Sequence, residues 1–266
     1  MAQVKFSVAI QNDAYKNLIN RTLGDPEVAR KFVAEISTVV SQNPQLQTCD
    51  AGSIISAGLL AQTVGLSLSP SLGLAYVVPY KDKAQFQVGW KGLTQLAMRS
   101  GQMAKVGTRA VHDGEWVGQD EFGDDEFRFS HEFDSKPVIG YFAYFVLTNG
   151  FKKTFYMTKE QVEQHARRYS KAYAANWSGN LWKDQFDLMA QKTVLKLLLN
   201  RYAPLSIEMQ KVIQADQAVV KRDGSYEYVD NEPEPVRRSV TNTILPEKEG
   251  ADQDGVIAIA DEDADF

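Results

Sequence analysis

Apolar residues recur at helical spacing in two stretches near the start of the chain. The first stretch opens with Asp25 as a cap and Pro26 in the first turn. Its apolar residues share one helical face, and they are Val28, Phe32, Ile36, Val39 and Val40. The second stretch begins after Asp50 and stops at Gly65, a residue typical of helix ends. The pattern predicts two helices that pack in a core.

The period then changes from helical to alternating. Apolar, β-branched and aromatic residues over 74–80 and 84–90 flank a polar turn at 81–83, which is the pattern of a β-hairpin. A short helix is predicted from about Lys91 to Gly101. Further strands are predicted over 103–111, 126–133, 138–148 and 152–157. The middle of the chain is therefore expected to be rich in antiparallel sheet.

Helical spacing returns in two later segments. Residues 158–169 begin with a capping box of Thr158 and Gln161, and residues 181–202 form a longer helix. From residue 223 the chain turns to Pro, Glu and Asp with few large apolar residues. We therefore predict an α+β fold, with one domain over 1–222 and a disordered acidic tail over 223–266.

The predicted helix over 181–202 is apolar around most of its circumference, so it is expected to be buried. Its polar residues fall on one narrow stripe, formed by Gln185, Lys192, Lys196 and Asn200. A buried lysine needs an anion, because an unpaired buried charge is costly. Either carboxylates of the same chain meet these lysines, or the stripe lines a groove for phosphate.

Basic and aromatic residues alternate from the hairpin into the next strand. Four cations follow the hairpin's second strand: Lys91, Arg99, Lys105 and Arg109. Phe86, Trp90 and Tyr80 could stack on bases, as in sequence-tolerant single-strand binding, or could belong to the core. Residues 89–92 also fit the GXXG loop of KH-type RNA-binding modules, which leaves that function as an alternative.

The net charge of −5 hides an uneven distribution. Residues 227–266 hold twelve acidic and three basic side chains, a net of −9, which leaves +4 on residues 1–226. Within that body, residues 112–134 hold nine acidic side chains and only Arg128, a net of −8. The remainder thus carries +12, as expected of an anion-binding surface beside acidic segments, although ordinary solvated faces would also fit.

Several chemistries lack their sequence signals. The chain has no GxxxxGK[ST] phosphate loop, no HExxH and no GxSxG, and its single cysteine, Cys49, has no partner for a disulfide. Neither a signal peptide nor a stretch long enough to span a membrane is seen, so a cytoplasmic location is expected. The carboxylates over 120–126 could hold a cation, so a metal-dependent nuclease remains an alternative.

Three short segments of the chain carry the remaining sequence motifs. The first reads GLSLSP at 65–70, followed by Gly73, AY at 75–76 and PY at 79–80. The second reads QFQVGWKGL at 85–93 and RSG at 99–101. The third reads WKD at 182–184, MA at 189–190, KT at 192–193 and LK at 195–196. In this order and spacing, the three segments resemble the RecT family of phage single-strand annealing proteins. Ser67 and Ser69 stand where that family often has Asp and Asn.

The resemblance implies a protein that assembles into rings or helical filaments, binds single-stranded DNA in a basic groove and anneals it to a complementary strand without ATP. It implies Lys192 as the first phosphate contact, followed by Lys91, Arg99, Lys183 and Lys196. Lys105, Arg109 and Arg201 are added on charge and position only. The family also implies a phage 5′–3′ exonuclease and the host single-strand binding protein as partners. No cofactor or catalytic residue is expected, and a dependence on Mg²⁺ stays open.

The last six residues, 261–266, are acidic and end in Phe266, similar to the end of bacterial single-strand binding proteins. This segment could occupy the protein's own groove, bind a partner or simply aid solubility.

Overall fold

A computed structural model describes residues 5–177 and 180–229 of the chain. The helices in this part are α1 (Phe6–Ala9), α2 (Asp13–Leu23), α3 (Pro26–Gln42), α4 (Ala51–Thr63), α5 (Trp90–Arg99), α6 (Lys159–Tyr169), α7 (Lys171–Ala174), α8 (Leu181–Asp184), α9 (Phe186–Tyr202) and α10 (Ile207–Ala215). The strands are β1 (Ala75–Tyr80), β2 (Lys83–Val88), β3 (Met103–His112), β4 (Trp116–Gln119), β5 (Asp125–Phe127), β6 (Val138–Leu147), β7 (Lys152–Thr158), β8 (Val219–Val220) and β9 (Tyr226–Glu227). The predicted α+β class is confirmed.

Both predicted N-terminal helices are present and begin at their predicted caps. The Asp25 carboxylate accepts the backbone N–H of Glu27 at 2.7 Å, and the Asp50 carboxylate accepts that of Ser53 at 2.8 Å. α3 and α4 approach closely, since a Cβ on Gly58 would lie 2.9 Å from the Phe32 ring. The shorter helix α2, which sequence spacing did not predict, buries only Ile19 completely.

The predicted hairpin is formed by β1 and β2, which pair from Ala75 with Val88 to Tyr80 with Lys83. One face of β2 packs on α4, where the Ser53 hydroxyl accepts the backbone N–H of Ala84 at 2.9 Å. The other edge of β2 bonds to Ala218 through Phe86. The hairpin is thus fixed on three sides, and only part of one face is left for solvent.

A three-stranded antiparallel sheet in the order β3-β6-β7 forms the second layer. Its inner face packs on α9, where the Tyr141 hydroxyl donates to the Asp187 carboxylate. The Thr108 hydroxyl donates to the Phe142 carbonyl of the sheet at 2.9 Å and also lies 3.4 Å from the Gln191 carbonyl of α9. Burial, and then the hydrogen bond to Asp187, raises the pKa of Tyr141 well above its usual range. The sheet and α9 therefore hold each other through polar as well as apolar contacts.

The β4–β5 hairpin covers part of the outer face of this sheet. The Phe127 ring lies 4.8 Å from that of Phe142 and 5.1 Å from that of Tyr156. The strand predicted over 126–133 is wrong beyond Phe127, because the chain there leaves the sheet and forms a 3₁₀ turn over His131–Phe133. The alternating pattern alone did not reveal that Phe127 packs on the outer face of the β3-β6-β7 sheet instead of belonging to one of its strands.

The C-terminal half departs from prediction at two further points. The helix predicted over 181–202 breaks at Gln185, whose ψ of 56° separates α8 from α9. The folded body also extends past residue 222, because β8 pairs with β9 and Lys83 forms a 3.0 Å ion pair with Glu227. Residues 230–266, including the acidic end at 261–266, lie outside the described residues. Among the described helices, none combines the length and apolar character that crossing a bilayer requires.

Candidate nucleic-acid interface

The start of α5 packs directly against the segment that leads into β1. A Cβ on Gly89 would lie 2.1 Å from the carbonyl oxygen of Gly73, and one on Gly92 would lie 2.1 Å from that of Leu74. Because no side chain fits at such an approach, both positions require glycine. Gly92 is moreover buried inside the helix. The two glycines therefore serve backbone packing, which does not favour the alternative of a KH-type loop at 89–92.

This packing gathers Tyr76, Trp90 and Lys91 at one end of the hairpin. A Cβ on Gly73 would lie 3.1 Å from the Tyr76 hydroxyl and 3.6 Å from Cδ of Lys91. The Nζ atom of Lys91 is 5.9 Å from the centre of the Trp90 ring. Tyr76 is 37% exposed, and its partial burial raises the pKa of the hydroxyl. An exposed ammonium group thus stands beside two aromatic rings, one of them accessible.

A second aromatic and basic cluster lies at the turn of the same hairpin. The rings of Tyr80 and Trp177 stack with centres 6.1 Å apart and planes 25° from parallel. The Nζ atom of Lys81 is 5.6 Å from the centre of the Tyr80 ring. Nearby, the Lys183 ammonium group donates to the side-chain oxygen of Asn176 at 3.3 Å. The sequence did not single out Trp177, because its position depends on contact between segments about a hundred residues apart.

The two clusters share one face of the hairpin, because residues 76 and 80 of β1 are separated by an even number of positions. We call this face the hairpin surface, and its members are Tyr76, Tyr80, Lys81, Trp90, Lys91, Trp177 and Lys183. Aromatic faces stack on bases of any sequence, and ammonium groups neutralise phosphates. The hairpin surface offers both kinds of contact side by side.

The predicted phosphate contacts Lys192 and Lys196 lie inside the protein. They are 4% and 5% exposed, and their Nζ atoms lie 2.7 and 3.0 Å from the two carboxylate oxygens of Asp216. Asp216 also accepts the backbone N–H of Val88 at 3.1 Å. The prediction of a phosphate-binding groove along this stripe is therefore wrong. The structure instead has the alternative, an internal contact between the lysines and a carboxylate. We call these three side chains the lysine–aspartate cluster.

Electrostatics favour the ionised form of Asp216 within the lysine–aspartate cluster. Burial by itself would raise the pKa of Asp216, but Lys192 and then Lys196 outweigh it and hold that pKa below its ordinary value. The cluster joins α9 to the turn after α10 and to the end of β2. It therefore fixes the hairpin from behind rather than contacting a ligand in front.

Phe86 does not offer a ring to bases. It is fully buried, on the same side of β2 as the buried residues Ala84 and Val88. Alternation with the polar residues Gln85 and Gln87 was the signal that could have placed it in the core. The stacking role predicted for Phe86 is corrected to core packing, whereas Trp90 stays half-buried at the hairpin surface.

Two predicted arginines are engaged within the protein. The Arg99 guanidinium donates to the Val64 carbonyl at the end of α4, so it caps that helix. Arg109 lies 4.1 Å from the centre of the Phe129 ring and donates to Glu115 at 3.2 Å. The Glu115 side chain is fully buried and needs this cation. Both arginines therefore have structural partners that sequence spacing did not predict.

Lys105 lies on the outer face of the three-stranded sheet, away from the hairpin surface. Its strand neighbours in register are Val146 and Lys152. One row further, Tyr144 packs flat over Gly107, where an added Cβ would lie 3.0 Å from the ring. Lys105 and Lys152 are exposed, so this face forms a second, smaller basic patch. A glycine within an alternating strand was the available signal for the close approach of Tyr144.

Arg201, the remaining predicted contact, is exposed near the end of α9. Its guanidinium lies 5.2 Å from the centre of the Phe155 ring on β7. It stands on the sheet side of the molecule rather than among the members of the hairpin surface. The predicted residues are thus divided among the hairpin surface, the interior and the sheet.

The acidic residues over 120–126 are used to build the β4–β5 hairpin. The Asp120 carboxylate accepts the backbone N–H groups of Phe122 and Asp124 at 2.9 and 2.8 Å. Asp124 pairs with Lys153 at 2.5 Å, and Asp125 accepts from the Trp116 indole at 3.0 Å. Within residues 5–177 and 180–229, no three His, Cys, Asp or Glu side chains converge as metal ligands would.

Comparisons with known proteins agree with this arrangement of motifs. The sequence model of the RecT family matches residues 30–235. The uncharacterized protein YqaK of Bacillus subtilis (strain 168) is 41% identical over 212 residues, which cover 77% of this chain and 72% of YqaK. Protein RecT of Escherichia coli (strain K12) is 30% identical over 219 residues, which cover 78% of each chain.

Proposed function

The chain belongs to the RecT family, and from this premise we propose that it binds single-stranded DNA on the hairpin surface and anneals it to a complementary strand in homologous recombination. Family membership supports single-strand annealing in recombination. The observation that carries the finer assignment is the exposed Lys91 ammonium group beside Tyr76 and Trp90, at the motif shared with the family.

The mechanism needs no ATP. Cations on successive subunits neutralise the phosphates of one strand, which lowers the repulsion that opposes a second strand. Stacking on aromatic rings holds bases without reading their sequence. Watson–Crick pairing then supplies the free energy, so the protein acts as a scaffold rather than as an enzyme. Assembly into a ring or filament extends this effect along the strand.

The proposal extends to the surroundings in which the protein works. A phage 5′–3′ exonuclease would produce the single strand. The protein would encounter the host single-strand binding protein on that strand. With these partners, the protein would act in the bacterial cytoplasm. The proposed chemistry requires no cofactor. The binding and annealing assays, run with and without Mg²⁺, measure whether the ion affects either step.

The interface is tested with the double variant Lys91→Ala and Lys183→Ala, compared with Lys211→Ala, an exposed lysine on α10. Fluorescence anisotropy with labelled single strands measures affinity over a range of salt concentrations. We expect the double variant to bind all sequences more weakly, with a salt slope smaller by about 0.7 for each lost phosphate contact. Equal affinity and slope in the double variant and the Lys211 control would remove the hairpin surface from the interface.

The activity is tested by mixing two complementary labelled strands with the protein, without nucleotide, and following energy transfer between the labels. Faster pairing than in protein-free buffer supports annealing. Strand cleavage in Mg²⁺ that Asp124→Ala abolishes would instead favour the nuclease. Tighter binding to RNA than to DNA, without faster pairing, would favour an RNA-binding module.

A further inference from the structure

The tip of the β4–β5 hairpin presents an aromatic side chain to solvent. Phe122 is 82% exposed, more than any other large apolar side chain recorded in the described part of the chain. Trp116 and Val117 on the same hairpin are 48% and 61% exposed. Exposed apolar side chains gathered on one projecting element mark a surface that binds another protein.

The tip holds Phe122 in a fixed position. The Asp120 carboxylate accepts two backbone N–H groups of the turn, and the backbone N–H of Asp120 donates to the Asp124 carbonyl at 3.0 Å. Lys153 then ties Asp124 to the edge of β7 at 2.5 Å. Because these contacts hold the backbone of the turn, binding costs little backbone conformational entropy, and burial of the Phe122 ring contributes more fully to affinity.

A crevice between α2 and α3 has the complementary size and charge. Its volume is about 230 Å³, and its apolar lining is Ile19, Pro26, Ala29 and Val33. A cavity of about 150 Å³ is already enough to bind benzene, so the crevice accommodates a phenyl ring. Lys16 and Arg30 also line the crevice, with Arg30 paired to Glu27 at 2.6 Å. Residues 120–126 around Phe122 hold five acidic and no basic side chains, of which Asp124 is paired with Lys153.

We infer that Phe122 of one copy inserts into the α2–α3 crevice of a second copy, with Lys16 and Arg30 facing the acidic tip. The hairpin and the crevice are different surfaces of one chain, so the contact is head-to-tail and repeats from copy to copy. Such a contact builds a ring if the rotation closes and an open filament if it does not. The inference rests on the proposed function in one respect, since annealing along a strand calls for a polymer.

The contact is tested with two variants that each remove one side of it. Phe122→Asp removes the inserted ring, and Asn20→Trp fills the crevice from its rim, where Asn20 is exposed. Sedimentation velocity measures the size of the full-length protein, with and without a single strand. We expect either variant alone to stay a monomer. Ile207→Asp, at a position that is 68% exposed on α10, serves as the control and should assemble as the wild type does.

Mixing the two variants gives the sharper result. One retains a crevice and the other retains Phe122, so the mixture should form dimers and stop there. A charge exchange tests the rim separately: Lys16→Glu should raise the dissociation constant about tenfold or more, and adding Glu121→Lys should recover most of the loss. Recovery in the double variant would also show that neither Lys16→Glu nor Glu121→Lys prevents folding.

Three results would overturn the inference. They are wild-type assembly in the Phe122→Asp variant, a monomeric wild type both with and without DNA, and a variant mixture that stays monomeric. Failure of the proposed function is seen separately, in the annealing assay. If the wild type assembles through Phe122 but does not accelerate strand pairing, the contact is supported and the annealing proposal is rejected.

Discussion

Lys192 and Lys196 end on one buried carboxylate, whereas Lys91 and Lys183 reach the surface close to aromatic rings. All four belong to segments that resemble the same family, and the resemblance implied the same phosphate-binding role for each of them. Their surroundings separate them. The first pair connects α9 to Asp216 and is almost inaccessible, while the second pair is exposed on the hairpin surface.

This difference shows that a lysine within a family motif can support the interface from inside the protein, as well as contact a ligand at its surface. The lysine–aspartate cluster reaches the backbone of Val88, one residue before the close approach of Gly89 to Gly73. Loosening the cluster would move the start of α5 and with it Lys91. Measurements of DNA affinity alone would then confuse a lost phosphate contact with a lost support.

The largest effect is expected from Asp216→Ala. It would leave two buried ammonium groups without their common carboxylate, and removing one partner of a buried ion pair costs about 3–5 kcal/mol. Urea denaturation measures the free energy of unfolding. Asp113→Ala, at an exposed position, is the matched control and should change that free energy by no more than about 0.5 kcal/mol. Similar stabilities of the two variants would mean that the cluster does not support the fold.

The next largest effect is expected from Lys192→Met, which keeps the apolar stem and removes the charge. Asp216 would retain Lys196 and the Val88 N–H, so the expected loss of stability is about 1.5–3 kcal/mol. In the folded protein the salt slope of DNA binding should be unchanged. Lys91→Met should do the reverse, lowering the slope and leaving stability unchanged. A lower slope for Lys192→Met would return that lysine to the interface.

Much of the fold was predictable because its signals are local. Asp25 and Asp50 are helix caps that act within three residues, and the hairpin turn lies between two alternating strands. The break at Gln185 has no such local marker. α9 is apolar nearly all around, so its period did not reveal where it begins.

The site was less predictable because its contacts join distant segments. Lys192 meets Asp216, which is 24 residues further along the chain, at the end of a helix too short for its period to be noticed. Arg109 meets Glu115 only because β3 turns back at His112. Residue type predicted which side chains carry charge, but not which of them are already neutralised.

A third prediction sharpens the surface side of the comparison. Trp177→Ala removes a 45% exposed ring that stacks on Tyr80. Loss of one stacked base costs about 1–3 kcal/mol of binding free energy, with little change in the salt slope because no cation is removed. Anisotropy measures both quantities. Phe151→Ala, a ring of similar exposure outside the hairpin surface, is the control. Equal binding by the two variants would exclude Trp177 from the interface.

The smallest effect is expected from acid. Because Lys192 and Lys196 hold the pKa of Asp216 below its ordinary value, the unfolded chain, with a pKa of about 3.9, binds the proton first as the pH falls. The stability contributed by Asp216 is therefore complete above about pH 5 and is lost as the pH falls below about 4.

Urea denaturation between about pH 5 and pH 3 should show a steeper loss of stability for the wild type than for Asp216→Asn, by up to about 1.4 kcal/mol for each pH unit below the unfolded-state pKa. Lys91→Met should follow the wild-type curve, because its charge has no buried carboxylate to protect. Parallel curves of unfolding free energy against pH for the wild type and Asp216→Asn would contradict the lowered pKa of Asp216. A flattened curve for Lys91→Met would mean that the two sets of lysines are not as separate as their positions indicate.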